Sequence, residues 1–589
     1  MTISVSRSKN SETYYVKQSL YNKGNRTSKN VEKLGSYSDL EARFGKDNPL
    51  EKAKKYAQEL GRKEKEGQRE IIIKCSPVAK IPKNEKRLYS AGYLFLQKIY
   101  SELGIANICK TIENKYKFDF DLNAILSRLV YGRILFPSSK LATLELSKKF
   151  MEQPNFELHQ MYRGLEVIGE ETDFIQSALY KNSTKIVNRK TGVLFYDCTN
   201  YFFEIEQEDG LKQYGYSKEH RPNPIVQMGL FMDGDGMPLA FSINKGNTNE
   251  QTTLKPLEKK ILSDFELSKF VVCTDAGLSS ASNRMYNNIG GRAFITTQSV
   301  KKLKKHLKTW ALDAEGWRIS SKAGEYDLSK IEDTEYLKQC AKLYGKAVDI
   351  KTETFYKERW IKEDGLEQKI IITYSIKYRD YQRNIRAGQL ERAKKLIDSN
   401  PTKLKKANQN DFKRFIKKTN VTLDGEVAEK ELYSIDDSVI TAEEIFDGFY
   451  AVCTNLEDSP AEIIKINHRR WEIEECFRIM KSEFKARPVY LKRDERIEAH
   501  FTTCFISLLI YRILEKRLGG EFTCSQIVNE LRNMNMLAVP KEGYIPAYTR
   551  TDFTDALHDN FGFRTDYQII PLQKMKKISE ISLHIRHNP

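Results

Sequence analysis

Short apolar runs alternate with turns between Gly192 and Thr297. Runs of about four to eight apolar residues bounded by Gly, Asp or Asn are typical of buried strands. The predicted strands are Val193–Asp197, Ile225–Met232, Leu239–Ile243, Phe270–Asp275 and Arg292–Thr297. Leu254, Leu257 and Ile261 recur at helical spacing before the fourth strand. This order of elements predicts an α/β fold, a mixed sheet with helices on its faces.

The spacing of apolar residues changes on both sides of residues 192–297. Leu122, Ile125 and Leu129 recur at three- and four-residue spacing, which predicts helices. Residues 301–440 mix strand-like runs with Lys-rich ends at 301–308 and 401–420, which predicts an insertion. The predicted domains are a small N-terminal β/α unit that is basic and a candidate for DNA binding (1–85), a helical domain (86–190), the first part of the core (191–300), a β-rich insertion domain (301–440), the second part of the core (441–515) and a helical C-terminal extension (516–589).

Composition and charge narrow the class of protein. The 589 residues are 40% hydrophobic, which excludes a mostly disordered chain. With 97 Lys and Arg against 80 Asp and Glu, the net charge of +17 indicates a polyanionic partner. The N-terminus lacks the apolar stretch of a signal peptide, and the nine cysteines form no C-x-x-C pair. The longest apolar run, Phe501–Leu514, is too short for a membrane span. We therefore expect an intracellular protein with reduced thiols and no membrane partner.

Two aspartates, Asp197 and Asp275, each end an apolar run that should be a central strand. Carboxylates at the carboxyl ends of neighbouring strands meet at one edge of a sheet, where they repel unless a cation neutralises them. Mg²⁺ suits such a place because it binds one or two carboxylates and leaves its other positions to water and phosphate. The alternative is a helix N-cap, particularly for Asp275 before Ala276.

A third candidate carboxylate lies on a long helix predicted from about Pro460 to Phe484. At 100° per residue, Arg470, Glu474 and Lys481 form one narrow stripe of this helix. A carboxylate between two cations can bind a metal while the cations hold phosphates. The residues beside the stripe, where they can pack on a sheet, are Trp471, Ile473 and Phe477. The alternative is a solvated salt-bridge face, since Arg470 and Glu474 are also an ordinary i,i+4 pair.

The segment HRRWEIEECFRIMKSEF (468–484) resembles the YREK signature of DDE transposases from bacterial insertion sequences of the insertion sequence 4 group. Arg470, Glu474 and Lys481 match the signature in register, whereas Asn467 stands where the signature has Tyr. YDCTN around Asp197 and CTDAGLSS around Asp275 resemble the strands that carry the two aspartates of this group. The resemblance covers about residues 120–515.

The resemblance implies an RNase H-like catalytic core in which Asp197, Asp275 and Glu474 are the catalytic residues and bind two Mg²⁺ ions, with Mn²⁺ as a substitute. The implied DNA-binding residues are Asn467, Arg470, Trp471 and Lys481. The implied activity is a magnesium-dependent endonuclease and strand-transfer reaction: the enzyme binds the terminal inverted repeats of its own insertion sequence, cleaves the ends and joins them to target DNA. The implied assembly is a homodimer that holds double-stranded DNA ends in a synaptic complex.

Two other functions remain open from the sequence. A domesticated, catalytically silent DNA-binding relative would share the resemblance without the activity. An aspartyl-nucleophile phosphohydrolase would use Asp197, but Thr199 stands where that class has its second Asp. For the transposase, we expect a bacterial cytoplasmic location and association with the nucleoid when DNA is bound.

Overall fold

A computed structural model describes residues 1–8, 11–22, 25–67, 71–73, 76–319, 322–344, 349–363, 365–399, 411–421 and 430–583. The chain divides into two compact units, Met1–Lys86 and Arg87–Pro589. Half of the Lys-rich stretch at 401–420 lies outside the described residues.

The first unit is a three-stranded antiparallel sheet with two helices. Its elements are β1 (Thr2–Ser8), β2 (Ser11–Asn22), β3 (Asn25–Gly35), α1 (Tyr37–Phe44) and α2 (Pro49–Gly67). Strand β2 lies between β1 and β3. Helix α1 begins with a capping box between Ser36 and Asp39, which satisfies backbone N–H groups at its first turn. The helices cover one face of the sheet, where the buried residues are Tyr14, Val16, Leu34, Leu40, Ala53 and Ala57.

The second unit begins with the predicted helical region. Its elements are β4 (Leu88–Ser90), α3 (Tyr93–Glu102), α4 (Ile105–Lys115), α5 (Leu122–Leu135), α6 (Lys140–Ser147), α7 (Leu158–Glu170) and α8 (Thr172–Ser183). Asp121 caps α5 and Ser139 caps α6 through their side-chain oxygens. Leu122, Ile125, Leu126 and Leu129 are all buried, as their spacing predicts.

The next part of the chain builds most of a large sheet. Its strands are β5 (Val193–Phe202), β6 (Ile225–Asp233), β7 (Pro238–Lys245), β8 (Val271–Thr274), β9 (Ala293–Gln298), β10 (Trp317–Ile319), β11 (Lys322–Tyr326), β12 (Phe355–Glu363) and β13 (Leu366–Tyr374). Its helices are α9 (Leu254–Asp264), α10 (Ala281–Tyr286), α11 (Lys305–Leu312), α12 (Thr334–Tyr344) and α13 (Ile376–Asp398), with 3₁₀ turns at Glu250–Thr252, Ala276–Leu278 and Val300–Lys302.

The remaining elements add one strand to the large sheet, form a separate two-stranded sheet and most of a separate four-stranded sheet, and supply further helices. They are a 3₁₀ turn at Phe412–Phe415, β14 (Ile416–Val421), β15 (Lys430–Ile435), α14 (Asp437–Glu444), β16 (Phe449–Thr454), α15 (Pro460–His468), α16 (Trp471–Arg478), a π-helical turn at Ile479–Glu483, α17 (Asp494–Arg517), α18 (Cys524–Asn533), β17 (Asn535–Val539), β18 (Gly543–Pro546), α19 (Asp552–Phe561), β19 (Ile570–Pro571) and α20 (Leu572–Ser582).

The large sheet has ten strands in the order β11-β10-β12-β13-β16-β9-β8-β5-β6-β7. Strand β8 is parallel to β5 and to β9, and the other neighbouring pairs are antiparallel. The predicted mixed α/β sheet is therefore confirmed. Strands β10 to β13 come from the predicted insertion and extend this same sheet, because β13 pairs with β16.

Two predicted elements were wrong in their extent. Strand β5 does not end at Asp197 but continues to Phe202, because β6 pairs with it along its whole length. The long helix predicted from Pro460 to Phe484 is interrupted at Arg469–Arg470 and widens into a π-helical turn after Arg478.

Helix α17 is long and apolar enough, by length and composition, to cross a membrane, the one such helix in the described part of the chain. However, 94% of its most apolar 18-residue window is buried inside the protein. It contacts α7, α5 and α3, so its apolar residues belong to the main core. Burial among other helices is typical of a core helix.

The β6–β7 turn depends on a buried ion pair. The Asp233 carboxylate pairs with Arg189, and both side chains are at most 2% exposed. Asp233 Oδ1 also accepts hydrogen bonds from the backbone N–H groups of Asp235 and Met237, at 2.9 and 3.1 Å. This geometry explains the Asp-Gly-Asp-Gly sequence as a hairpin turn.

Asp233→Ala should destabilise the protein by about 3–5 kcal/mol, because it leaves the buried Arg189 guanidinium without its charged partner. Urea unfolding followed by tryptophan fluorescence measures the change. The matched control is Asp235→Ala in the same turn, which removes pairs with the more exposed Lys190 and Lys516 and should cost about 1 kcal/mol or less. Equal losses in the two variants would contradict this explanation.

Candidate active site

Two carboxylates lie side by side on neighbouring parallel strands. Tyr196 of β5 is aligned with Thr274 of β8, and Asp197 and Asp275 are the next residues on each strand. Asp197 lies within β5 and is half-buried, whereas Asp275 follows the last residue of β8. The predicted juxtaposition of the two aspartates is therefore observed, although only Asp275 stands at a strand end.

Asp275 is held by two donors. Thr297 Oγ1 on β9 donates to Asp275 Oδ1 at 2.7 Å, and Arg470 Nη1 lies 2.8 Å from the same oxygen. Asp275 precedes the 3₁₀ turn at Ala276–Leu278, but its side chain makes no capping hydrogen bond there. Burial raises the pKa of Asp275, but the Arg470 guanidinium and the Thr297 hydroxyl outweigh burial, so the pKa lies below its usual value.

Asp197 has a different environment. Burial raises the pKa of Asp197 to about 6, and the negative charge of Asp275 adds to the rise against the opposing charge of Lys218. Asp197 Oδ1 accepts a hydrogen bond of 2.7 Å from the backbone N–H of Cys198. The two aspartates thus differ in protonation tendency, because Asp275 forms a direct ion pair with Arg470 whereas burial dominates at Asp197.

The helix interruption at Arg469–Arg470 directs Arg470 toward Asp275. The backbone N–H of Arg470 bonds to the carbonyl of Asn467 at 3.2 Å, and the N–H of Ile473 bonds to the carbonyl of Arg470 at 3.2 Å. These i to i+3 bonds tighten the chain relative to an α-helix. Arg470 is consequently the N-cap residue of α16 and not part of a continuous helical stripe.

Lys481 lies in the π-helical turn and contacts β5 two residues beyond Asp197. Its Nζ donates to Thr199 Oγ1 at 2.6 Å and lies 3.7 Å from Glu219 Oε1. Burial lowers the pKa of Lys481 to about 8, and the positive charge of Lys218 adds to the decrease. Arg470 and Lys481 thus both have charges within electrostatic range of Asp197, as their predicted role requires.

Glu474 is exposed and lines a cavity of about 540 Å³ together with Arg470 and Trp471. The cavity is lined by aromatic side chains from the insertion and from the core, which are Tyr378, Tyr381, Tyr450 and Trp471. Trp471 is 58% exposed, whereas Ile473 and Phe477 are buried, so Trp471 does not pack on the sheet as its position in the sequence predicted.

Asn467 is buried, and its Nδ2 donates to the hydroxyl of Tyr450 on β16 at 3.2 Å. Tyr450 also lies within electrostatic range of Arg470 and Asp275. Four residues beside the predicted site residues were not predicted from the sequence: Tyr450, Thr297, Lys218 and Glu219. Lys218 and Glu219 belong to a conspicuous polar segment, GYSKEHRPNP, whereas Tyr450 and Thr297 have no sequence signal beyond their place on apolar strands.

The neighbouring aspartates fit a divalent cation, because hard cations prefer carboxylate oxygens and Mg²⁺ needs only one or two of them. Asp275 Oδ1 and Asp197 Oδ1 already accept hydrogen bonds, and each carboxylate has a second oxygen. Among the described residues, no group of three or more His, Cys, Asp or Glu side chains is placed to hold one metal ion. Glu474 therefore does not form a three-carboxylate cluster with Asp197 and Asp275 in this structure.

Comparisons with known proteins place this site in a family. The family model described as "Transposase DDE domain" matches residues 190–510, more than half of the chain. Among solved structures, the chain is similar to the piggyBac transposase in a synaptic complex with hairpin DNA (TM-score 0.35, 8% identity, 85% of each chain covered). It is also similar to the Mos1 transposase in a paired-end complex with the left transposon end (TM-score 0.13, 13% identity, 43% of this chain and 69% of that chain covered).

No curated protein matches the chain. Both TM-scores are low, so the assignment rests on the family model. That model covers the strands that carry Asp197 and Asp275 and the helix that carries Glu474. The chain therefore belongs to the DDE transposase family, whose general function is DNA transposition.

Proposed function

We propose that this protein is the transposase of a bacterial insertion sequence of the insertion sequence 4 group. In this proposal it binds the terminal inverted repeats of its own element, cleaves the ends by metal-dependent phosphodiester hydrolysis and joins them to target DNA. The observation that supports it most strongly is the pair of adjacent carboxylates, Asp197 and Asp275, with Arg470 and Lys481 beside them. Carboxylates that bind cations, next to cations that bind phosphate, are what phosphodiester cleavage requires.

Asp197 and Asp275 would hold the divalent cation, Mg²⁺ or in its place Mn²⁺, with Glu474 as the proposed third carboxylate of an RNase H-like core that binds two ions. When bound, such ions supply an activated water or 3′-hydroxyl and stabilise the leaving oxygen of the phosphodiester. The carboxylates themselves orient and neutralise the cations. Burial raises the pKa of Asp197, and a bound cation would favour the ionised carboxylate that burial opposes.

Arg470 and Lys481 would bind the DNA phosphates on either side of the aspartates. The Arg470 side chain is anchored on Asp275, so its guanidinium is fixed before DNA arrives. Lys481 is anchored on Thr199 and lies near Glu219, which a DNA phosphate would replace as the partner of the ammonium. Asn467 would act through Tyr450, and the exposed ring of Trp471 offers a surface on which a base can stack.

The wider organisation belongs to the same proposal. Residues 191–300 and 441–515 would form the catalytic core, with 301–440 as an insertion domain and with the units 1–85, 86–190 and 516–589 around it. The double-stranded DNA partners would be the transposon ends and the target. A homodimer would hold two ends together in a synaptic complex. The protein would act in the bacterial cytoplasm, at the nucleoid.

One observation favours a second candidate, a catalytically silent DNA-binding relative. Glu474 is exposed, and the described residues include no three-carboxylate group around the aspartates. A silent relative would bind the repeats without cleaving them. The aspartyl-nucleophile phosphohydrolase has no comparable support, because the family model that matches is that of a transposase.

The test of the proposed function uses a duplex that carries the inverted repeat flanking the gene. The full chain is incubated with this duplex and Mg²⁺, and the broken ends are mapped at nucleotide resolution. We expect a break at the end of the repeat, absent with EDTA and absent from a duplex of shuffled sequence. Binding of the repeat without cleavage at any Mg²⁺ or Mn²⁺ concentration would favour the silent relative. Equal breakage of both duplexes would contradict the transposase.

The affinity for DNA should fall as the pH rises through about 8, because the free Lys481 ammonium loses its proton there and a neutral amine attracts phosphate weakly. Binding of the repeat duplex is measured between pH 7 and pH 9 at constant ionic strength. Lys481→Arg should remove most of this decrease, since a guanidinium stays charged throughout the range. An identical decrease in the wild type and in Lys481→Arg would contradict the role of Lys481.

A further inference from the structure

Among the described side chains of the three-stranded sheet in the first unit, those on its outer face are polar and none is acidic. Side chains alternate between the two faces of a strand, and Ile3, Tyr14 and Val16 point toward α1 and α2. The described residues that point to the opposite face include Thr2, Ser4, Ser6, Thr13, Tyr15, Lys17, Ser19, Ser28, Asn30 and Lys33. None of these residues is buried.

The strand register joins these residues into rows across the sheet. Ser4 is paired with Tyr15, and Tyr15 with Lys33. One step along, Thr2 is paired with Lys17, and Lys17 with Asn30. Each of these two rows combines a lysine with side chains that donate or accept hydrogen bonds, whereas the pairs Ser6–Thr13 and Ser19–Ser28 carry no charge. The outer face, defined as the ten residues given above, is therefore a surface of uniform positive sign with many hydrogen-bonding groups.

The acidic residues of these strands lie on the other face. Glu12 pairs with Arg7 at 2.8 Å, and Glu32 pairs with Arg43 of α1 at 2.7 Å. Tyr56 of α2 also donates to Glu32, at 2.9 Å. The carboxylates are therefore neutralised on the helix side, and the strands contribute only positive charge to the outer face.

We propose that the outer face of this sheet binds the DNA duplex of the transposon end, an inference that rests on the proposed function. Lys17 and Lys33 contact phosphates, and the hydroxyl and amide groups of the rows contact phosphates and base edges. The dimensions agree with this partner. Neighbouring strands are about 4.8 Å apart, so three strands span about 10 Å, and the major groove of DNA is about 12 Å wide.

A protein partner fits this surface less well. The centres of protein interfaces are apolar and rich in aromatic side chains, and the described side chains of the outer face include one aromatic ring, that of Tyr15, among Ser, Thr, Asn and Lys. An anionic backbone instead meets Lys17 and Lys33, although Lys33 also lies within electrostatic range of Asp39 of α1. The proposed DNA-binding surface belongs to the first unit, whereas the candidate active site belongs to the second.

The test compares two charge-matched double variants of the full chain. Lys17→Gln/Lys33→Gln changes the outer face, and Lys54→Gln/Lys55→Gln changes exposed lysines of α2, away from this face. Affinity for a 40-bp duplex carrying the flanking inverted repeat is measured between 50 and 300 mM salt, with a shuffled duplex for comparison. Circular dichroism and thermal unfolding verify that both variants fold, as expected for exposed side chains.

We expect Lys17→Gln/Lys33→Gln to weaken binding about tenfold or more and to make the plot of log affinity against log salt shallower by about 1.8. Lys54→Gln/Lys55→Gln should bind nearly as the wild type does. Tyr15→Ala should lower the preference for the repeat over the shuffled duplex, because it removes a contact to the groove and no charge.

Equal effects of the two double variants, or no effect of either, would overturn the inference. In both cases cleavage of the repeat by the wild type would leave the proposed function intact. A wild type that binds neither duplex would overturn the inference and the proposed function together.

Discussion

Replacement of Asp197 or Asp275 by asparagine should lower the rate of DNA-end cleavage by about a thousandfold or more. Asparagine keeps the size of the side chain but removes the negative charge that would hold the divalent cation. A thousandfold loss corresponds to about 4 kcal/mol of transition-state stabilisation, which is within the range that a bound metal ion supplies. Single-turnover cleavage of the repeat duplex in Mg²⁺ measures the effect, and DNA binding should stay close to that of the wild type.

The matched control is Asp264→Asn, at the exposed end of α9, which removes the same charge away from the sheet edge. Its cleavage rate should equal that of the wild type. If Asp197→Asn or Asp275→Asn retained more than about a tenth of the wild-type rate, the carboxylate replaced in that variant would not have the proposed role.

Asp197→Asn should at the same time stabilise the metal-free protein at neutral pH. Burial raises the pKa of Asp197 to about 6, above its value in the unfolded chain, so the native state favours the protonated acid. The stabilisation of the native state by protonated Asp197 is fully present at low pH and is lost as the pH rises through about 6. Above that pH the ionised carboxylate lowers the free energy of unfolding by on the order of 3 kcal/mol, and asparagine has no such effect. Thermal unfolding should show a larger stabilisation at pH 8 than at pH 4.5, where only part of this destabilisation is present.

Arg470→Gln should lower the cleavage rate about a hundredfold, the second-largest effect that we expect. The guanidinium lies 2.8 Å from Asp275 Oδ1 and is the principal cause that lowers the pKa of that carboxylate. Its removal should raise the pKa of Asp275 and take away a cation that is positioned for phosphate. Cleavage and DNA affinity should therefore both decrease, and the decrease in cleavage should be larger below pH 6 than at pH 8.

Arg469→Gln is the matched control for Arg470→Gln. Arg469 is the neighbouring residue in the same helix interruption and pairs with Glu472 at 2.9 Å, not with Asp275. A small effect of Arg469→Gln beside a large effect of Arg470→Gln would assign the loss to the contact with Asp275. Similar losses in both variants would assign it to the local helix structure instead.

The parts of the fold that local periodicity specifies could be predicted from the sequence. The strands around Asp197 and Asp275 are apolar and bounded by turn residues, and the helices before them have a regular apolar spacing. The pairing of β13 with β16 could not be predicted, since it joins strands from two different segments and depends on long-range contacts. The sequence alone therefore predicts that residues 301–440 form a separate insertion, whereas their strands β10 to β13 extend the same sheet.

The candidate site could be predicted in part for the same reason. The side-by-side position of Asp197 and Asp275 follows from parallel strands, and the sequence therefore indicates it. The contact between Arg470 and Asp275 depends on the helix interruption at Arg469–Arg470, which a uniform 100° rotation per residue misses. The same rotation gave Trp471 a packed position, whereas its ring is exposed at the cavity.

Tyr450 illustrates a residue that no pattern indicates. It lies on the mostly apolar strand Phe449–Thr454, where a tyrosine is ordinary strand composition. Only the packing of β16 against α15 brings its hydroxyl to Asn467. Asn467 stands where the signature has a tyrosine. No sequence pattern indicates that Tyr450, from a different element, contacts Asn467.

Titration of Mn²⁺ into the wild type and into Asp197→Asn tests the central claim most directly, with free Mn²⁺ measured by electron paramagnetic resonance. The claim is that Asp197 and Asp275 form the cation site on which DNA cleavage depends. We expect the wild type and Asp264→Asn to bind Mn²⁺ equally, and Asp197→Asn to bind it at least about tenfold more weakly, as the loss of a ligand charge predicts. Equal binding of Mn²⁺ by the wild type and Asp197→Asn would contradict the claim.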